Sequence, residues 1–374
     1  MARAAVVLLA ACALGLPAAG APPADVAGPL GRDDAAGFAQ VLAPRAFSFP
    51  ADHGPHREFR QEWWYTTGQL DAADGERFGF ELTFFRYALA SAQAAPAGAS
   101  AWRANEIYMA HFAVTDVARQ RFRFAQKLAR GALGLAGASA APLRVWVDDW
   151  QLRAAPGAPQ HWQLSAAQEG YAIELELDAS GPPVLNGVAG FSAKSAQAGD
   201  ASYYYSLPRV AVRGRLLRAG EPLAVQGLAW FDREWGSGGL GTQEVGWDWF
   251  ALQLNDGAAL MFYALRDRDG ARDPHSAGTW IEPSGAAQRL GASAVRIEVT
   301  AAWLSPAGVR YPAAWRVRVP ELALDLTVQP VLANQELTGT PRYWEGAVDV
   351  SGRSGARTVG GRGYVELVGY AQER

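Results

Sequence analysis

Two short segments of this chain set carboxylates among aromatic rings, and both could move protons. In Trp230-Phe231-Asp232-Arg233-Glu234-Trp235-Gly236, a strand would put Trp230, Asp232 and Glu234 on one face and Phe231, Arg233 and Trp235 on the other. Two acids side by side in an apolar setting push at least one pKa upward, as a proton donor requires. At a solvated strand end the same acids would stay ordinary. In Glu62-Trp63-Trp64-Tyr65, Glu62 shares a face with Trp64, and Trp63 shares one with Tyr65. Facing inward, Glu62 is a carboxyl buried among aromatics and suited to general-acid work. Paired with a cation such as Arg60, it is a structural ion pair under a Trp-rich core. Tyr203-Tyr204-Tyr205 could offer phenol donors to a ligand, or pack with their hydroxyls satisfied.

The remaining motifs carry less chemistry. Asp52-His53-Gly54-Pro55-His56 has a His-x-x-His spacing but reads as a loop with no Cys partner, so no metal site is assigned. His111 and His275 lack companions at ligand spacing; His111 is kept as a candidate ligand contact. Gly236-Ser237-Gly238-Gly239-Leu240-Gly241 fits a dinucleotide fingerprint in letters only, because a Trp-rich strand rather than a helix follows it. It reads as a linker. The chain has no Gly-x-Ser-x-Gly elbow, which weakens a serine-hydrolase reading. No cofactor is assigned.

The elements that must hold these residues are strands. In residues 77–85, 171–177 and 315–319 apolar side chains recur at every second position, the period of a strand with one face buried. Asp74-Gly75, Asn255-Asp256-Gly257 and Pro283-Ser284-Gly285 lie between such runs as hairpin turns. Residues 121–133 are the stretch with short helical character, and 94–101 and 134–142 are Ala/Gly-rich loops. The class is all-β. Three segments also recur in order at offsets of roughly 130 to 190 residues, a spacing that suits a duplicated domain. Residues from Trp162 to Asn186 match those from Trp315 to Asn334, residues from Val225 to Asp232 loosely match those from Val359 to Glu366, best at the last three positions, and the segment at Glu62 resembles that at Gly246. The reading is two antiparallel β-barrel domains in tandem, 45–236 and 237–374. A barrel of about eight strands can leave room for one small ligand.

The bulk numbers agree with two cores: 374 residues, 49% hydrophobic and 19% charged. A net charge of −3 gives no basic surface for nucleic acid or acidic lipid. Met1-Ala2-Arg3, the apolar run 4–16 and Pro17-Ala18-Ala19-Gly20 read as a signal peptide spanning 1–20, followed by a flexible leader over 21–44. That implies a periplasmic or secreted protein. A rival reading takes Leu9-Ala10-Ala11-Cys12 as a lipobox, which makes the protein a lipoprotein anchored through Cys12. Cys12 is the only Cys of the chain, so core packing rather than disulfides must supply stability. No later segment is long and apolar enough to span a bilayer as a helix.

Taken together, Asp52-His53-Gly54, Phe59-Arg60, Glu62-Trp63-Trp64-Tyr65, Trp230 to Gly236, Gly278-Thr279-Trp280-Ile281 and Gly363-Tyr364-Val365-Glu366-Leu367 resemble the AttH and carotenoid 1,2-hydratase family. The resemblance runs from about Phe47 to the C-terminus. It implies a pair of lipocalin-like domains and a bacterial protein of the "predicted secreted hydrolase" kind, associated with ABC-type export systems. In the hydratase branch a His-x-Trp pair precedes a Tyr-x-Asp pair. The matching positions are Tyr203-x-Tyr205 and Trp230-x-Asp232, so the acid is kept and Tyr203 replaces the His. The resemblance thus implies Asp232 as acid, aided by Glu62, Glu234 and Tyr203. Trp64, Tyr65, Tyr205 and Trp230 would form walls whose π faces steady a carbocation. The expected protein binds an apolar or polyene-like ligand and hydrates or isomerises a C=C bond. The alternative is a non-catalytic carrier or accessory protein of an ABC-type exporter. The first half keeps the denser set of acids, so the site is expected within the first barrel.

Overall fold

The computed structural model describes residues 37–91, 103–240 and 244–371. The signal segment, Cys12, the leader up to residue 36 and the 94–101 loop lie outside the described residues. Strand-period sequence and Gly-bearing turns give strands throughout: β1 (Gln61–Ala72), β2 (Arg77–Ala88), β3 (Glu106–Asp116), β4 (Arg121–Arg130), β5 (Ala136–Ala140), β6 (Leu143–Val147) and β7 (Trp150–Ala155). They continue with β8 (Ala158–Gln168), β9 (Tyr171–Asp178), β10 (Val184–Leu185), β11 (Phe191–Ala193), β12 (Ala201–Arg218) and β13 (Glu221–Gly236). The later strands are β14 (Glu244–Leu254), β15 (Ala259–Asp267), β16 (Ala277–Ile281), β17 (Ala287–Gly291) and β18 (Arg296–Leu304). The last are β19 (Arg310–Val319), β20 (Leu324–Pro330), β21 (Glu336–Leu337), β22 (Tyr343–Ser354) and β23 (Arg357–Leu367). The three expected hairpin turns join β1 to β2, β14 to β15 and β16 to β17, with Gly75, Gly257 and Gly285 at positive φ.

Two antiparallel sheets result. The first runs β4-β3-β2-β1-β13-β12-β9-β8-β7-β6-β5 and curls into a near-barrel. The second runs β17-β16-β15-β14-β23-β22-β20-β19-β18 and makes a half-barrel. Apart from β6 and β5, both sheets follow the same order, with β1 standing where β14 stands and β13 where β23 stands. Gly227 and Gly361 occupy equivalent places. A Cβ on Gly227 would meet the Gln69 carbonyl oxygen at 2.0 Å, and one on Gly361 would meet that of Gln253 at 2.4 Å.

Three expectations change. Residues 121–130 are a strand, not a helix, because they pair with β3 along their whole length, from Asp116 opposite Arg121 to Ile107 opposite Arg130. The small residues of 136–140 form β5 rather than a loop; the Trp146 ring lies where a side chain on Gly137 would be. Residues 37–44 are packed rather than a free leader. Val41 is buried in the first core, the Ala39 amide donates to the Glu58 carbonyl at 2.9 Å, and Tyr203 donates to the Ala43 carbonyl at 3.0 Å. Among the described residues no helix is long and apolar enough to cross a membrane.

The interior of the near-barrel is filled. Trp64, Phe84, Trp162, Tyr205, Phe231 and Trp235 pack together there, with Trp162 and Phe231 ring centres 4.9 Å apart. Phe250, Trp315 and Trp344 do the same in the half-barrel. The sheets then meet through their other faces, where the Tyr65 and Trp249 rings cross edge to face at 5.1 Å. Two glutamines at equivalent positions bind this contact reciprocally. Gln69 donates to the Val348 and Gly363 carbonyls at 2.9 and 3.0 Å. Gln253 donates to the Pro208 and Ala229 carbonyls at 2.7 and 3.0 Å. Replacing Gln69 with Leu strips a buried donor from two carbonyls and should cost about 1–3 kcal/mol of stability in urea unfolding. Gln253→Leu should cost a similar amount.

Candidate functional site

The register decides which side chains stand together, because directly opposed residues on adjacent strands share a face. His111, Thr83, Tyr65, Asp232 and Ser206 form one row across β3, β2, β1, β13 and β12. Met109, Phe85, Trp63, Glu234 and Tyr204 form the next. Both rows look out of the near-barrel toward the second sheet. There Tyr263, Trp249, Glu366 and Glu345 form the answering row across β15, β14, β23 and β22. Between the sheets lies a cavity of about 810 Å³, with Trp63, Tyr204, Asp232, Trp247, Trp249 and Glu366 in its wall. The candidate site is therefore between the two sheets, not inside the first barrel, whose interior its own aromatics fill.

Asp232 is 3% exposed. It accepts hydrogen bonds from Tyr204 Oη at 2.5 Å, Ser206 Oγ at 2.5 Å and Trp230 Nε1 at 2.6 Å. Burial pushes its pKa up to about 7, against the pull of those three donors and with help from the Glu234 charge. Tyr204 in turn accepts from Trp249 Nε1 at 3.1 Å, so a hydrogen-bonded chain crosses from one sheet to the acid of the other. Glu366, the residue equivalent to Asp232, is also pushed up to about 7 by burial, although Trp247 Nε1 donates to it at 2.8 Å. Glu81 rises to about 8 by burial, and Glu345 rises well above the carboxylate range for the same reason while Tyr65 donates to it. Near neutral pH Glu81 and Glu345 hold protons, and Asp232 and Glu366 share theirs with solvent about equally. Glu234 is treated differently: Lys194 Nζ lies 3.0 Å from it, and Ser202 donates to it. His111 Nδ1 meets the Tyr343 hydroxyl at 2.7 Å, and burial pushes this histidine down to about 3, so the ring is neutral.

Of the residues singled out in the sequence, Asp232, Glu234, Tyr65, Trp230 and His111 gather on this side. Glu62, Trp64, Tyr203 and Tyr205 do not. They face the near-barrel interior, and each is committed there. Glu62 is fully buried against Arg86 and Arg233, and the His56 amide donates to it at 3.0 Å. Burial alone would raise its pKa, but the Arg233 and Arg86 guanidiniums hold it well below the usual carboxylate range. It is an ion pair and not a general acid, and Arg60 is not its partner. Trp64 Nε1 donates to the His53 carbonyl at 2.8 Å beneath the Arg233 guanidinium, and the Tyr205 hydroxyl meets His53 Nδ1 at 2.6 Å. His56 stacks on Trp235 at 3.8 Å and bonds Asp52. Tyr204, between the two tyrosines matched to the hydratase pattern, is the one at the acid. Only the pairing of Ser206 with Asp232 reveals that. Glu366, which the repeat pairs with Asp232, is not among the site residues the sequence singles out, yet it lines the cavity.

Fold and site together define a lipocalin-like β-protein with an acid-bearing, aromatic cavity between its two sheets. The chain belongs to the AttH-like family, whose model matches residues 40–370. A crystal structure from Nitrosomonas europaea, assigned to AttH, is 34% identical, with 89% of this chain and 100% of that one covered and a TM-score of 0.79. The fold is shared with kievitone hydratase from Nectria haematococca, at 16% identity, a TM-score of 0.69 and coverage of 90% and 97%. Dehydratase asqC from Emericella nidulans is 25% identical over 222 residues, 55% of this chain and 60% of that protein. The match thus spans about three fifths of that relative's length.

Two measurements check the electrostatic assignments. Glu62→Gln leaves the buried Arg233 guanidinium without its counter-charge and Arg86 with Glu106 alone, and should cost about 3–5 kcal/mol by chemical denaturation. Asp232 and Glu366 bind their protons more tightly folded than unfolded, from ordinary values of 3.8 and 4.5 to about 7. Their contribution to stability therefore falls as pH rises between those values and is fully lost above about 7. Calorimetry should show the melting temperature declining from about pH 4 to about pH 7, and Asp232→Asn should flatten that decline.

Proposed function

We propose that this protein takes an apolar, unsaturated molecule into the cavity between its sheets and adds or removes water across a C=C bond, with Asp232 as the acid. The observation that carries the reading is a buried carboxyl, protonated near neutrality, in the wall of an aromatic cavity. In the hydration direction the Asp232 proton passes to one alkene carbon and the π electrons form the new C–H bond. The cation left on the neighbouring carbon is steadied by the indole and phenol rings of Trp63, Tyr65 and Trp249. Water bonds to that carbon and gives its surplus proton back to the Asp232 carboxylate, so the acid is restored. Dehydration is the same path reversed: the acid protonates the hydroxyl, water leaves, and the carboxylate takes the proton from the adjacent carbon. Tyr204 steadies the carboxylate each time it forms. A hydratase and a dehydratase among the similar proteins support both directions.

Further proposals rest on sequence pattern. The segment 1–20 supports export to the periplasm or beyond, with anchoring through Cys12 as the variant. The common strand order and the reciprocal Gln69 and Gln253 contacts support a duplicated ancestral unit. A second functional reading, a non-catalytic carrier serving an ABC-type export system, draws on the same aromatic cavity but has no use for the protonated acids. Mass spectrometry separates the two. The protein incubated with a mixture of polyenes and prenylated phenols should yield products one water heavier or lighter. Turnover should fall as pH rises through about 7, and Asp232→Asn should cut it at least ~100-fold while ligand retention persists. Ligand retention with no product from the wild-type protein would favour the carrier.

A further inference from the structure

The cavity has a second polar end that the proposed chemistry does not use. His111 lines it, fully buried, with its ring edge-on to Phe85 at 5.2 Å and to Phe124 at 5.4 Å. Its Nδ1 is taken by the Tyr343 hydroxyl, but its Nε2 has no hydrogen-bond partner among the described residues. A buried ring nitrogen left bare is costly, and such groups are ordinarily satisfied. His111 stands in the same row as Asp232, with Thr83 and Tyr65 between them. Three inter-strand steps at roughly 4.8 Å put the two residues about 14 Å apart along the cavity floor. The floor between is largely aromatic, from Tyr65, Phe85 and Trp63.

Building on the hydration reading, we propose that His111, oriented by Tyr343, is a second anchor of the cavity that hydrogen-bonds a hydroxyl on the ligand, about 14 Å from the bond that Asp232 protonates. The substrate class is then an elongated amphipathic molecule, apolar and unsaturated at one end and hydroxylated at the other. A hydroxyl suits the site whichever tautomer the imidazole adopts, because it both donates and accepts. The neutral ring explains why the anchor selects a hydroxyl rather than a carboxylate. Tyr343 is a positioning residue: it touches the imidazole and fixes which nitrogen is left for the ligand.

The test uses 4-octylphenol and octylbenzene, which differ only in the hydroxyl and have no isolated C=C bond for Asp232 to consume. Binding is followed by quenching of tryptophan fluorescence, and the His111 nitrogens by NMR of protein labelled with ¹⁵N-histidine. The wild-type protein should bind octylphenol about tenfold more tightly than octylbenzene. His111→Phe should erase that preference by weakening the phenol alone, and the Nε2 resonance should move with octylphenol and not with octylbenzene. Equal binding of the two probes, or a preference that survives His111→Phe, overturns the anchor and leaves the hydration reading standing. If that variant does not fold, a wild-type Nε2 resonance indifferent to octylphenol overturns it as well. Failure of both probes to bind overturns the anchor together with the apolar cavity on which the hydration reading rests.

Discussion

The constraint on which this structure depends is the burial of several carboxyl groups against one another between two sheets. Glu81, Asp232, Glu345 and Glu366 all lie at that contact with raised pKa values. Lys194 answers Glu234, and among the described residues no salt bridge neutralises the others. Charges removed from water without a counter-ion give way by holding protons. Glu62 shows the opposite solution a few residues away. It is equally buried, but Arg86 and Arg233 flank it, so it stays ionised and ties β1 to β2 and β13. The same side chain is a strut on one face of β1, and its chemical cousin on the other face of β13 is a proton store.

The common strand order of the two sheets makes the cavity a meeting of equivalent surfaces that are filled differently. Tyr65 faces Trp249 from an equivalent place, and Asp232 is answered by Glu366. The partners of the two acids differ. Asp232 has Tyr204, Ser206 and Trp230 as donors, whereas Glu366 has Trp247. A carboxylate formed at Asp232 is thus better supported than one formed at Glu366, which is a reason to assign the proton transfer to the first.

Much of the fold was legible in the sequence. Period-two patterning, the Gly-bearing turns and the family motifs gave an all-β chain with two barrel-like halves, and alternation placed Asp232 and Glu234 correctly on one face. Which face mattered was hidden. Strands of the first sheet near the site are buried on both sides, by the barrel's own core and by the second sheet, so β1 reads as almost continuously buried and alternation loses its meaning. The match to the hydratase pattern points to Tyr203 and Tyr205, and alternation offers no check that would put Tyr204 at the acid instead. Residues 121–130 were misread because an edge strand with one solvated face carries many charged and small residues that also suit a helix.

The proton that Asp232 holds near neutral pH in the wall of the cavity is the feature on which the proposed chemistry turns. Its most direct measurement is a carboxyl titration by NMR of protein labelled with ¹³C-aspartate, with the Asp232 signal assigned through Asp232→Asn. A carboxyl resonance that titrates at about 7 is the predicted result. A resonance already fully ionised at about pH 5, as for an ordinary aspartate, would contradict the account.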